Sequence, residues 1–169
     1  MKRVILVLAL TLGLAGTATA QQKVGHINVD ELLAVMPETS TAEAEIQKYA
    51  EQLEGDLAEM QQEYTTKLQN AQANQNTWTQ LRLQKEGEEL QAMEQRMMAF
   101  NQSAQQELQR KQMDLMLPII EKAQNAVNKV ANDNGFAYIL DASPSKGNVI
   151  YTDGGDDVMG LVKVELGIN

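Results

Sequence analysis

The sequence predicts a mainly α protein with a small β body, from which a long antiparallel, coiled-coil-like helical hairpin projects. Three observations predict it. Between Glu38 and Asn134 almost a hundred residues contain one proline, Pro118, and, before the end, only Gly55 and Gly87. Apolar residues recur there at steps of three and four, first through Ile46, Ala50, Leu53, Leu57, Met60, Tyr64, Leu68 and Ala71. After a polar gap they resume through Leu90, Met93, Met97, Phe100, Ala104, Leu108, Leu115, Ile119, Ala123, Ala126 and Val130. That is the signature of two long amphipathic helices around one break. The third observation is a set of short β-prone runs confined to the two ends of the chain.

The first twenty residues read as a secretory signal peptide. Lys2 and Arg3 form a basic start, Val4 to Leu14 an apolar centre, and Ala18-Thr19-Ala20 a small-residue cleavage site before Gln21. The apolar run is too short for a membrane span, which needs roughly 20 such residues, and Gly13, Gly16 and Thr17 interrupt it. With no cysteine in the chain, lipid attachment at a cysteine is excluded, and no disulfide framework is available. The mature chain is expected to be soluble outside the cytoplasm.

Val24 to Val29 then reads as a strand, followed by a brief helix capped by Asn28 or Asp30 and stopped by Pro37. The first arm begins beyond Pro37, with Thr39, Ser40 or Thr41 as possible caps, and runs to about Ala73. The tip lies near residues 70–78, where Asn70, Asn74 and Asn76 favour a turn. Thr77 or Thr79 caps the return arm, which runs to about Asn132 and so outreaches the first arm. Its last third must pack on something else. Pro118 falls where that excess begins, and is the expected hinge, with a kink or a restart of the helix. Gly135 supplies a helix stop. Phe136–Asp141 and Asn148–Thr152 read as an antiparallel pair of strands joined by the turn Ser143–Gly147. Asp153–Asp156 break the chain again and cap a final helix with Val158, Leu161, Val162 and Leu166, ended by Gly167. The organisation is thus a body of residues 21–37 and 118–169 and a hairpin of residues 38–117.

The formal charge is −9, or −11 once Lys2 and Arg3 are removed, which argues against nucleic acid as a partner. The charge is uneven. Glu38–Asn74 carries eight acidic residues against Lys48 and Lys67, whereas Thr79–Asn134 carries eight against seven basic. Catalysis has no foothold. His26 is the only histidine and reads as a satisfied structural or surface residue. Asp156 and Asp157 beside Gly154-Gly155 read as helix-end acidic residues, and no serine lies in a nucleophile elbow. Neither a metal nor a cofactor is implied.

Methionine carries more information, because it is flexible, polarizable and common on surfaces that accept varied partners. Met60, Met93 and Met97 fit the seam between the arms. Met98 cannot share that narrow stripe with its neighbour Met97. With Phe100, Met113 and Met116, these return-arm methionines are the candidate partner-binding residues. Trp78, beside the cap, is read first as a staple of the turn and second as an exposed anchor at the tip.

One ordered set of residues runs through the chain. Near the start it comprises Val24-Gly25-His26-Ile27-Asn28, Leu32-Leu33 and Pro37. At the other end stand Ile119 to Val130, then Asn134-Gly135-Phe136-Ala137-Tyr138-Ile139-Leu140-Asp141, and Asp156-Asp157-Val158. This set resembles the Skp/OmpH family. The resemblance covers essentially the whole mature chain. It implies a periplasmic, ATP-independent holdase that cages unfolded outer-membrane proteins. It also implies a homotrimer in which three strands from each subunit build a small β-barrel and the hairpins hang from it as tentacles. Within that picture Val24, Ile27, Val29, Tyr138, Leu140, Val149 and Tyr151 are the oligomerisation candidates, since so few strands leave edges that other subunits would cover. One departure stands out: better-known members have basic tentacles linked to lipopolysaccharide, and the acidic first arm here argues against that ligand. The competing reading is a structural coiled-coil spacer or adaptor of the cell envelope with a single folded partner.

Overall fold

The computed structural model describes residues 22–147 and 149–168; the expected signal peptide and its cleavage site lie outside the described residues. The chain runs β1 (Lys23–Ile27), α1 (Val29–Val35), α2 (Pro37–Asn74), α3 (Gln80–Asn134), β2 (Phe136–Asp141), β3 (Asp156–Asp157) and α4 (Met159–Leu166). The two arms pack against each other as the hairpin. α2 has 38 residues and α3 has 55, so they extend about 57 and 83 Å at the usual helical rise.

The ends of these elements follow from local chemistry. Asn28 caps α1: its Oδ1 accepts from the Glu31 N–H at 3.1 Å. Pro37 excludes helical geometry at the residue before it, and Met36 is accordingly extended (φ −75°, ψ 126°). Pro37 itself then opens α2 at the first helical position, where its missing N–H costs nothing. The arm therefore starts three to five residues earlier than a cap at Thr39, Ser40 or Thr41 would place it, with no side-chain cap. At the tip, Thr79 is the cap of α3 and accepts from the Arg82 N–H, while the Thr77 hydroxyl turns back to the Asn74 carbonyl. Gly135 ends α3 at φ 69°, a left-handed position that favours glycine.

α3 continues through Pro118 as one helix, so the restart expected there does not occur. Immediately after it begins a buried stripe, Ile119, Ala123, Ala126 and Val130. The core of the body is this stripe against Ile27, Leu32, Met36, Ala42, Val158 and Val162.

The sheet departs from expectation. Its order is β2-β1-β3 and both pairings are parallel. Among the described residues the antiparallel hairpin is absent: Val149–Thr152 form no strand, and the third strand is instead Asp156–Asp157 beside Gly25 and His26. The turn after β2 is present, but Asp141 and Ser143 are drawn aside. The Asp141 carboxylate accepts from the Ser143 N–H and hydroxyl, and at 3.4 Å from the Val29 N–H, while Ser143 Oγ accepts from the Asp30 N–H. This clamp ties the start of α1 to the end of β2. Burial pushes the Asp141 carboxyl upward, yet those hydrogen bonds outweigh it and hold it below the usual aspartate range.

Gly25 lets the layers meet. A Cβ there would stand 3.0 Å from Val158 Cγ1 and 3.1 Å from the Phe136 ring. Val158 is the residue preceding α4, not a residue within it, and it is completely buried. Asp157 accepts from the Met159 N–H at 2.9 Å, so it supports the helix start from the strand.

Candidate client-binding and assembly surfaces

Three surfaces carry the candidate residues, beginning with the sheet. The two-residue period of β1 turns Gly25 and Ile27 inward and leaves Val24 and His26 on the opposite face. Register pairs Val24 with Tyr138 and His26 with Leu140. Tyr138 is 60% exposed and Leu140 45%. Val149 and Tyr151 lie in the loop that crosses this face, where a cavity of about 330 Å³ is lined by Val24, His26, Leu140 and that loop. Val24, Tyr138, Leu140 and Tyr151 therefore stand at one surface. Two assembly candidates do not join them. Ile27 is buried in the body core, and Val29 belongs to α1 and packs on the same core. The two-residue alternation of β1 places Ile27 inward beside Gly25. His26 also differs from expectation. Its Nδ1 is buried beside Gly155 with no hydrogen-bond partner among the described residues.

The second surface is the hairpin. Its seam is thin: Met93 is buried, whereas Leu57, Met60, Met97 and Phe100 are half-buried. Met98 points away and is 66% exposed. Polar rungs cross the arms. The Tyr49 and Tyr64 hydroxyls donate to Glu107 and Glu94. Lys111 meets Glu45 at 3.2 Å, Lys122 meets Glu38, and Lys67 reaches Glu86 at 3.0 Å and also Glu89. The carboxylate beside each phenol raises both tyrosines above their ordinary value, and the Lys122 ammonium holds the Glu38 carboxyl below its own. At the tip, Trp78 is half-buried with the Arg82 guanidinium 4.1 Å over its ring. That packing onto the following turn is the staple arrangement.

The third surface is the joint between arm and body. Met113 and Leu117 are more than half exposed and Ile120 is 44% exposed, one face of α3 around Pro118. Met116 is half-buried and packs toward the body core. Leu117 and Ile120 stand outside the candidates drawn from the sequence, although their signal is local: they fall off the 119-123-126-130 stripe. The cross-arm rungs, by contrast, join residues as far as 84 positions apart and have no local signature.

The family described as outer membrane protein (OmpH-like) matches residues 23–166, nearly the whole described chain. The chain belongs to the OmpH-like family. It is also similar to the chaperone protein Skp of Yersinia enterocolitica, with 25% identity over 159 residues and 94% of each chain covered. Its fold matches the crystal structure of an OmpH-like outer membrane chaperone from Caulobacter crescentus, with a TM-score of 0.75 over 89% of this chain and 88% of that one, at 16% identity. OmpH-like proteins of this kind are chaperones and not enzymes. Among the described residues no helix is long and apolar enough to cross a membrane.

Proposed function

We propose that this OmpH-like chain is exported to the periplasm, where it acts as an ATP-independent holdase for unfolded outer-membrane proteins. The active form is a homotrimer: the bodies join through the exposed sheet face and edges, and three hairpins enclose the client. The observation that carries this reading is the distribution of uncovered apolar side chains. Met98 on the hairpin, Met113, Leu117 and Ile120 at the joint, and Tyr138 and Leu140 on the sheet are all left to solvent by one chain. An apolar surface that one chain leaves open marks an interaction site. Flexible methionines at several separated positions suit a succession of weak contacts with varied chains better than one shaped partner. Pro118 is the hinge at the top of the tentacle, with Trp78 closing its tip.

Three measurements test this. The purified mature chain should delay aggregation of several unrelated unfolded barrel proteins without added nucleotide. Protection of none of them would favour a spacer with a single folded partner. Light scattering at micromolar concentration should give the trimer mass, and a monomer mass would refute the assembly. Client binding should weaken little between low and high salt, because the surfaces invoked are apolar and amide-rich; a steep loss would show that charge dominates.

A further inference from the structure

Halfway along the hairpin an open trough of about 650 Å³ and a smaller cavity of about 150 Å³ lie side by side between the arms. They share Leu57, Asn101 and Gln105. The smaller is walled mainly by apolar groups, among them Leu53, Phe100 and Leu108, and the larger by Met97, Met98 and amides. At the boundary the Gln105 Nε2 donates to Asn101 Oδ1 at 3.0 Å. An amide pair joined by one hydrogen bond keeps a free donor on one side chain and a free acceptor on the other, whichever way the two are turned.

A donor and an acceptor side by side match the C=O and N–H of a polypeptide backbone. A chain without secondary structure offers those groups along its whole length, whereas a folded protein pairs most of its own. Spacing agrees. Met97, Asn101 and Gln105 recur every fourth residue along α3, a step of about 6 Å. Alternate residues of an extended strand repeat every 6.4–6.8 Å or so, about the same interval. A cavity near 150 Å³ with apolar walls is of the size that admits a benzene ring. Charge points the same way: Glu54 and Glu94 line these cavities and no lysine or arginine does.

We infer that this mid-hairpin groove binds an extended stretch of unfolded polypeptide, with its backbone on the Asn101–Gln105 amide pair. An aromatic or branched side chain enters the Leu53–Phe100–Leu108 cavity, and its neighbour lies on Met97 and Met98. Neutral or basic segments fit, and acidic ones are repelled by Glu54 and Glu94. This rests on the holdase reading and deepens it, by making the hydrogen-bonding potential of an unpaired backbone part of what is recognised.

The test uses the full mature chain and a short fluorescein-labelled peptide alternating Phe or Val with Thr and ending in Lys. Methylating its alternate backbone nitrogens on the groove-facing edge should weaken binding about tenfold, the scale of one to two hydrogen bonds. Asn101→Leu with Gln105→Leu should cause a similar loss with unchanged helical circular dichroism, and should abolish the effect of methylation. Replacing the terminal Lys by Glu should weaken binding further. Equal affinity for methylated and plain peptide on the wild-type chain would overturn the inference, whatever the fate of the double variant. Aggregation assays separate the two levels. If the wild type and the double variant protect clients equally, the amide pair is wrong and the holdase reading survives. If the wild type protects none, the holdase reading falls and the inference with it.

Discussion

The body and the outer hairpin are built from the same long helices but are held together differently. Around Ile119–Val130, α3 meets the strands, α1 and α4, and several side chains there are wholly buried. Along the arms beyond Ala42 each helix has one neighbour, and among the described residues there only Met93 is buried. Burial supplies most of the free energy of folding, so the body is where the fold is stabilised. The arms are a thin seam supplemented by exposed polar rungs. That difference suits a protein whose working surface must stay open while its frame stays rigid.

The largest expected effect lies in the body. Leu32 is fully buried, and Leu32→Ala should cost about 2–5 kcal/mol of stability in urea unfolding. A loss below about 1 kcal/mol there would erase the contrast between body and arms. Gly25→Ala should come next, at roughly 1–3 kcal/mol, because the added Cβ meets Val158 and Phe136. At the other extreme Met98→Ala, on a side chain 66% exposed, should stay within about 0.5 kcal/mol of wild type while weakening client protection.

The rungs give a pH test of the arms. Tyr49 and Tyr64 have folded-state values raised above 10.0 by their carboxylate partners. Their contribution is full below pH 10 or so and is lost as pH rises through the raised values. Glu38 runs the other way: Lys122 lowers it below 4.5, so its contribution is present above that pH and fades as pH falls through the lowered value. Tyrosine absorbance should therefore titrate later in the folded chain than in urea. Glu94→Gln should bring part of it back. Coincident titrations would show that the rungs do not form. Lys67→Met should also have a small effect, under about 1 kcal/mol despite two carboxylate partners, because ion pairs that solvent still reaches contribute little.

Legibility followed the range of the interaction. Helix arms, the asparagine-rich tip, the Asn28 cap and the Gly135 stop are local, and periodicity or a single residue type announced each. The third strand escapes a reading by propensity, because Asn148–Thr152 has better β propensity than Asp156-Asp157. Propensity lost to pairing: the clamp of Asp141 and Ser143 on α1 carries the chain away from β2. Gly155 then allows it within contact distance of the Val24 carbonyl, on the far side of β1. The sequence does not say which face of β1 turns inward, so Ile27 reads equally as a core or an assembly residue, and Val29 is decided by its place on α1. The same holds for the groove, whose two walls come from Leu57 and Gln61 on α2 and from Glu94 to Gln105 on α3.

The sequence by itself determined two unequal helical arms, a polar tip, an anionic first arm and family membership, because these rest on periodicity, composition and ordered short motifs. The tertiary structure decided the parallel sheet, the inward turn of Ile27, the cross-arm rungs and which methionines remain in solvent. Those depend on which distant residues meet, and contacts between distant residues leave no repeat in the sequence.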